Sequence, residues 1–385
     1  MAWHGYLNRI DGKHDRRGSA LVLTAVCMVP LLGIVALAVD WGRICVAKAE
    51  LQHAADAAAL AGAWELLESH SPGYPATPSE SGPEVRAAVS EYARSHTALG
   101  QSLGVQDADI QLGFSAHSSG AYDELNVSDP EQCNAVRVRV RRDEHSNGTI
   151  PMSFARVLGR KSADTAASAT AMFIHNVAGF RPPADGENLP ILPFALDTET
   201  WQAAVAGDGP DEWRWDPARE EFVRGSDGIP EFDLYPQPTG SAGNRGTVNI
   251  GTKSNSTSFI SDQIAHGVSA SDLEFHGGEL KLDADSGLAL SGDPGISAGF
   301  KDELSSILGE GRIIPVFTDV QGSGGAGVYT IREWAGIRLV EVELTGGDKR
   351  VIVQPAKVIT GGAIPADPDA GVSSHYVFSR VWICR

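Results

Sequence analysis

Asp283, Asp285 and Ser286 put two carboxylates and a hydroxyl just ahead of Gly287, a donor set that suits a hard divalent cation. A full calcium loop of the EF-hand type closes with Glu at its twelfth position. Counted from Asp283 that position is Pro294, so an acidic turn is the plainer reading. Gly322-Ser323-Gly324-Gly325-Ala326-Gly327 would cradle phosphate if it opened a helix carrying a suitable Lys. Val328-Tyr329-Thr330-Ile331 follows it and alternates as a strand does, which makes the glycines a loop or hairpin. The 11 His residues show no zinc spacing, and no Gly-x-Ser-x-Gly elbow occurs. Arg137, Arg139, Arg141 and Arg142 form a basic row that would attract an anion. No Gly-rich loop or aromatic ladder accompanies them, so a solvated strand face is expected. These residues assign no catalytic group, metal or cofactor.

Charge and cysteine usage narrow the classes further. Residues 1 to 17 carry Arg9, Lys13, Arg16 and Arg17 against Asp11 and Asp15, or +2, which leaves -20 of the total -18 for the remainder. A surface of that sign repels nucleic acid and anionic lipid, whose phosphates must be neutralised by Lys or Arg. Of the four cysteines, Cys27 lies in an apolar run and Cys45 just beyond it. Cys133 and Cys384 are compatible either with a disulfide or with two separate thiols.

The apolar run is the strongest signal in the chain. Gly18 to Val39 contains no charge, and these 22 residues as a helix span about 33 Å against a hydrocarbon core of about 30 Å. Pro30 falls near its middle, where a membrane helix tolerates it with a kink. Lys13, Arg16 and Arg17 precede the run and place the N-terminus in the cytoplasm, although Arg43 and Lys48 soften the contrast. A cleaved signal peptide ending near Ala36-Leu37-Ala38 is the competing reading. The run exceeds the usual length of about 7 to 15 residues for such a segment, and an uncut anchor is preferred.

Beyond Asp40 the helical pattern continues with small residues. Ala47, Leu51, Ala54, Ala55, Ala58 and Gly62 share one face, which would let another backbone approach closely. Asp40, Arg43, Leu51, Ala54, Ala55, Ala58 and Gly62 are therefore the expected partner-interaction residues, with a homo-oligomer through this helix as one outcome. The alternative is that the same face packs on the chain's own exported domain.

Arg16-Arg17-Gly18-Ser19-Ala20, the run ending Ala38-Val39-Asp40-Trp41-Gly42-Arg43, and Leu51-Gln52-His53-Ala54-Ala55-Asp56 with the Ala-rich continuation to Ala63 together resemble the N-terminal module of TadG-like Tad/Flp pilus-assembly proteins. The resemblance covers roughly residues 16 to 65. It extends more weakly through Phe154-Ala155-Arg156-Val157-Leu158-Gly159 and the Ala-rich strand near Ser168 to Met172. It implies a single-pass protein of the bacterial inner membrane, facing the periplasm and associated with a pilus or a related secretion apparatus. It does not imply an enzyme. Some relatives carry a metal site of the form Asp-x-Ser-x-Ser, and this chain has no such run. Prepilin-type cleavage after Gly18 would want Glu at the fifth following position, where Leu23 stands, so a processed minor pseudopilin is the lesser alternative. A membrane-tethered envelope enzyme with an unrecognised site is another.

The expected class is α+β. Residues 1–17 form a cytoplasmic basic tail, 18–40 a transmembrane helix, 41–70 an Ala-rich periplasmic helix and 71–83 a Pro-rich and Gly-rich linker. A small α+β domain follows over 84–178, with a helix from Pro83 to Leu99, strands at Ile110 to Phe114 and Ala135 to Val140, a short helix at Phe154 to Leu158 and a strand at Ala166 to Ile174. Residues 187–385 should be a separate β-rich exported domain. Its expected strands are Thr247 to Ile250, Leu288 to Leu290, Arg312 to Thr318, Val328 to Trp334, Ile337 to Leu344 and Arg350 to Val358, with helices at Ser261 to Gly267 and Ala298 to Leu308.

Overall fold

In the computed structural model, residues 17–74, 80–115, 125–127, 132–236, 246–251, 256–294, 296–322, 327–346, 349–367 and 371–384 are described. The basic tail before Arg17, residues 75–79 of the linker and the glycine-rich segment 323–326 lie outside them. A single helix, α1 (Arg17–Glu68), runs 52 residues and contains Pro30. At 1.5 Å per residue it is about 78 Å long, far more than the body it supports requires. Its two halves live in different surroundings. Val29 is 72% exposed and Leu21 74%, whereas Leu51, Ala54, Ala55, Ala58 and Ala59 are fully buried.

The buried half lies on a four-stranded antiparallel sheet in the order Trp382–Cys384, Thr165–Met172, Ala135–Arg142, Ile110–Gly113. Register sets Val136, Val138 and Val140 opposite Ala171, Ala169 and Ala167. With period-two alternation these six side chains share the face turned to α1, and all are buried in its core. The short side chains on both elements let the helix settle close to the sheet. A second helix, α2 (Gly82–Arg94), starts with Pro in its first turn and buries Val85, Val89 and Ala93 against α1. It stops short of the expected Leu99 because Leu99 takes a left-handed φ of 51° in a tight hairpin between Thr97 and Ser102.

The second half is β-rich, as expected, and is organised by one 17-residue strand, Gly327–Glu343. Two strands, Val328 to Trp334 and Ile337 to Leu344, were expected there. They are continuous because Ala335 and Gly336 keep the ladder through the middle. A Cβ on Gly336 would stand 2.4 Å from the Ala356 carbonyl oxygen and 2.5 Å from that of Tyr376, so the position admits no side chain. The first part of this strand pairs with Leu288–Pro294 on one edge and Gly311–Gln321 on the other. Leu288–Pro294 pairs in turn with Gly246–Val248, then Phe194–Asp197, which returns in parallel to Gly311–Gln321. The circuit is closed, and closure leaves these strands few open edges. Arg350–Pro355 and Phe232–Tyr235 extend the sheet from the far part of the long strand. One apolar cluster gathers around Tyr329, Ile331, Trp334 and Phe317, and another around Trp201, Ile314, Val316 and Val353.

The expected boundary near residues 178–187 does not separate two independent units. Trp382–Cys384 adds a strand to the N-terminal sheet, and Phe378 enters the core beneath α1. Ala363–Pro365 pairs with Val177–Phe180, Ser379 Oγ accepts from the Ile174 N–H, and Lys357 pairs with Glu68 of α1. Composition marks a boundary, but it cannot show that the chain crosses back.

Candidate assembly interface

Asp40 is the first charged residue after the apolar run, and it is almost fully buried at 2% exposure. Its Oδ1 accepts from the Ser153 N–H at 2.8 Å, and its Oδ2 accepts from the N–H groups of Phe154 and Ala155 at 2.9 and 2.7 Å. These are the donors that the short 3-10 helix Ala155–Leu158 leaves open at its N-terminus, so Asp40 caps that helix from across the fold. Arg43 reinforces the contact, its Nη1 donating to Ser153 Oγ at 3.0 Å. The 3-10 helix sits at the tip of a hairpin whose strands, Ile150–Pro151 and Ser162–Ala163, pair antiparallel. The hairpin is seated on α1 through Ile150 and Met152, which pack with Ala47 and Ile44.

The residues expected to receive a partner thus divide. Asp40 and Arg43 bind the chain's own hairpin. Leu51, Ala54, Ala55 and Ala58 are covered by the sheet and α2, which is the alternative that sequence left open. Gly62 is part of the same packing: a Cβ there would lie 2.6 Å from Val89 Cγ2 and 3.0 Å from Val136 Cγ1. The correction has a simple cause. Small residues on one face record close approach of another backbone without recording whose backbone it is. The faces of α1 that stay open carry Trp41, Cys45, Val46 and Trp64.

The arginine row needs one correction as well. Arg137 and Arg141 lie on the outer face, where Arg137 Nε donates to Thr170 Oγ1 and Arg141 pairs with Asp109 at 2.9 Å and Asp143 at 3.1 Å. Arg142 has the opposite parity and points inward, 5% exposed. Its guanidinium donates to the carbonyls of Ala98, Asn147 and Gly148 and to Gln101 Oε1, tying two turns together. Burial lowers its pKa, with the nearby Arg43 charge adding to that effect.

The acidic turn has the geometry of a turn. Asp283 Oδ1 accepts from the N–H groups of Asp285 and Ser286 and from Ser286 Oγ, and Gly287 takes φ of 72°. Among the described residues no three His, Cys, Asp or Glu side chains converge as a metal site would require. Cys133 and Cys384 are both buried, and no disulfide joins them. A polar contact invisible in the sequence joins His375 to Glu333, with the Trp201 indole N–H donating to Glu333 Oε1 at 3.2 Å. It ties the short strand Ser374–His375 to the long strand beside it.

Two family descriptions match this architecture. Residues 18–65, the apolar run and the Ala-rich part of α1, match the Flp pilus-assembly TadE/G-like family. Residues 45–171, which add α2, the sheet and the hairpin, match the Tad-like Flp pilus-assembly family. Over residues 18–171 the chain belongs to the Tad/Flp pilus-assembly family. No curated protein and no solved structure matches the chain. The Tad module ends within the strand Thr165–Met172, so the strand Trp382–Cys384 that completes its sheet comes from outside the matched region.

Proposed function

We propose that this Tad-family chain is a single-pass inner-membrane scaffold for assembly of a Tad/Flp-type pilus or a related secretion apparatus, working by position rather than by catalysis. The observation that carries this reading is the division of α1. Its Tad-matched first part is apolar and exposed over a length that suits a bilayer, and its second part is the central helix of a folded body. In this reading the tail before Arg17 is cytoplasmic and the body periplasmic, in accordance with the basic residues before the span. Tethering confines the body to a thin layer at the membrane, which raises its effective concentration for other envelope components.

Photo-crosslinking residues placed at Val46 and Trp64, on exposed faces of α1, test the reading in cells. Capture of pilus-machine subunits from the membrane fraction, with the N-terminal segment intact by mass spectrometry, is the expected result. Recovery of an N-terminally cleaved, freely soluble product without such partners would overturn it. The same experiment reports a homo-oligomer as a crosslinked pair of identical chains.

A further inference from the structure

The hairpin Ile150–Ala163 meets α1 where the apolar run ends, and its tip is unlike the rest of the body surface. Val157 is 89% and Leu158 80% exposed, with Phe154 beside them at 48%. Between residues 150 and 163 the chain carries Arg156, Arg160 and Lys161 and no acidic residue, in a protein of net charge -18. Arg156, Arg160 and Lys161 are all exposed. The depth of this tip is set by Asp40, whose carboxylate binds the N–H groups of Ser153, Phe154 and Ala155. The 22 uncharged residues before Asp40 cover about 33 Å, little more than the hydrocarbon thickness of about 30 Å. Asp40, and the helix it caps, therefore stand at the outer edge of the hydrocarbon layer. Trp41, 66% exposed, occupies the level where aromatic side chains favour the membrane–water boundary.

We infer that the hairpin is a second, shallow membrane contact. Phe154, Val157 and Leu158 enter the headgroup layer of the leaflet from which the stalk emerges, and Arg156, Arg160 and Lys161 face the lipid phosphates. Exposed apolar side chains flanked by cations are the combination that holds a segment in the plane of an anionic lipid surface. The contact rests on the anchored reading above and adds to it. One helix leaves the body free to swivel about the stalk, whereas a second contact fixes which side faces the bilayer.

The test uses the full chain in lipid nanodiscs of phosphatidylethanolamine and phosphatidylglycerol, with Cys27→Ala and Cys45→Ala removing the exposed thiols. Spin labels are attached at Leu158→Cys, at Leu31→Cys within the apolar run, and at Ser306→Cys on the exposed surface of the β-rich half. Power saturation then compares access of oxygen, which partitions into lipid, with that of a water-soluble nickel chelate. The expected result is an oxygen-to-nickel ratio at 158 several-fold above that at 306 and approaching that at 31. Equal ratios at 158 and 306, with 31 still in lipid, would overturn the hairpin contact and leave the anchor standing. Nickel access at 31 as well would overturn both. Arg156→Gln, Arg160→Gln and Lys161→Gln together should move the 158 label toward water. An unchanged ratio would remove the phosphate pairing from the proposal.

Discussion

Asp40 would be read along the chain as the charge that ends a span, yet its three N–H partners lie more than a hundred residues further on. Replacing it by Ala removes a helix cap, a change that costs about 0.5–2 kcal/mol in comparable helices. Asp40→Ala should therefore lower the melting temperature slightly while amide exchange across residues 152–158 rises markedly. Unchanged exchange there would show that the cap does not hold the hairpin. The cysteines offer a second measurement at this scale. Burial pushes the Cys384 thiol up to about 11, and Cys133 is buried too, whereas Cys45 is exposed. A thiol reagent at about pH 8 requires the thiolate and access to it, so it should modify Cys45 and spare Cys133 and Cys384 in the native protein. Ready modification of Cys384, read by mass spectrometry, would place its strand off the sheet.

Among the elements, α1 lies close against both α2 and the sheet. At Gly62 a larger side chain meets Val89 and Val136, both fully buried. Overpacking of this kind costs about 1–3 kcal/mol or more, so Gly62→Leu should destabilise the Tad module strongly. The measurable sign is loss of cooperative unfolding or a large fall in the denaturant midpoint. A normal midpoint would mean that the helix rides further from the sheet. The strand Trp382–Cys384 makes a different prediction, because it pairs along Thr170 to Met172 and covers an edge that would otherwise be open. Removing residues 382–385 should raise exchange at Thr170 and Met172, which face the lost strand, and promote association of the exposed edge. A truncated chain that stays monodisperse, with protected amides at Thr170 and Met172, would make that strand dispensable.

At the scale of the whole molecule, charged groups join segments far apart in sequence, and their protonation sets the response to pH. Hydrogen bonding from Arg380, followed by the Glu187 N–H, holds the Asp185 carboxyl below its ordinary range, and donors from Ser286 and Asp285 do the same for Asp283. The folded state thus favours their charged form. Their stabilisation is present above the ordinary carboxylate value of about 4 and is lost as pH falls through the lowered values. Asp227 and Glu231 act with the opposite sign: burial raises them, so their contribution is present below about pH 4 and lost as pH rises through the raised values. Thermal melts below about pH 4 should therefore show a fall in stability that is shallower in Asp185→Asn. Parallel curves for the two proteins would show that the Arg380 pair does not survive in solution. Sequence alone determined the uncharged span, the alternation of Val136, Val138 and Val140, the turn at Asp283 and the α+β class, because each depends on residue type and spacing within one segment. The family, too, was legible in residues 16 to 65. Only tertiary structure decided what fills the small-residue face of α1, that Asp40 caps a helix 115 residues away, that Arg142 faces inward, and that the last strand returns to the first sheet. The physical reason is common to all four. Local periodicity reports that a face is covered or a donor satisfied, whereas the identity of the covering segment is a long-range contact chosen by the packing of the whole chain.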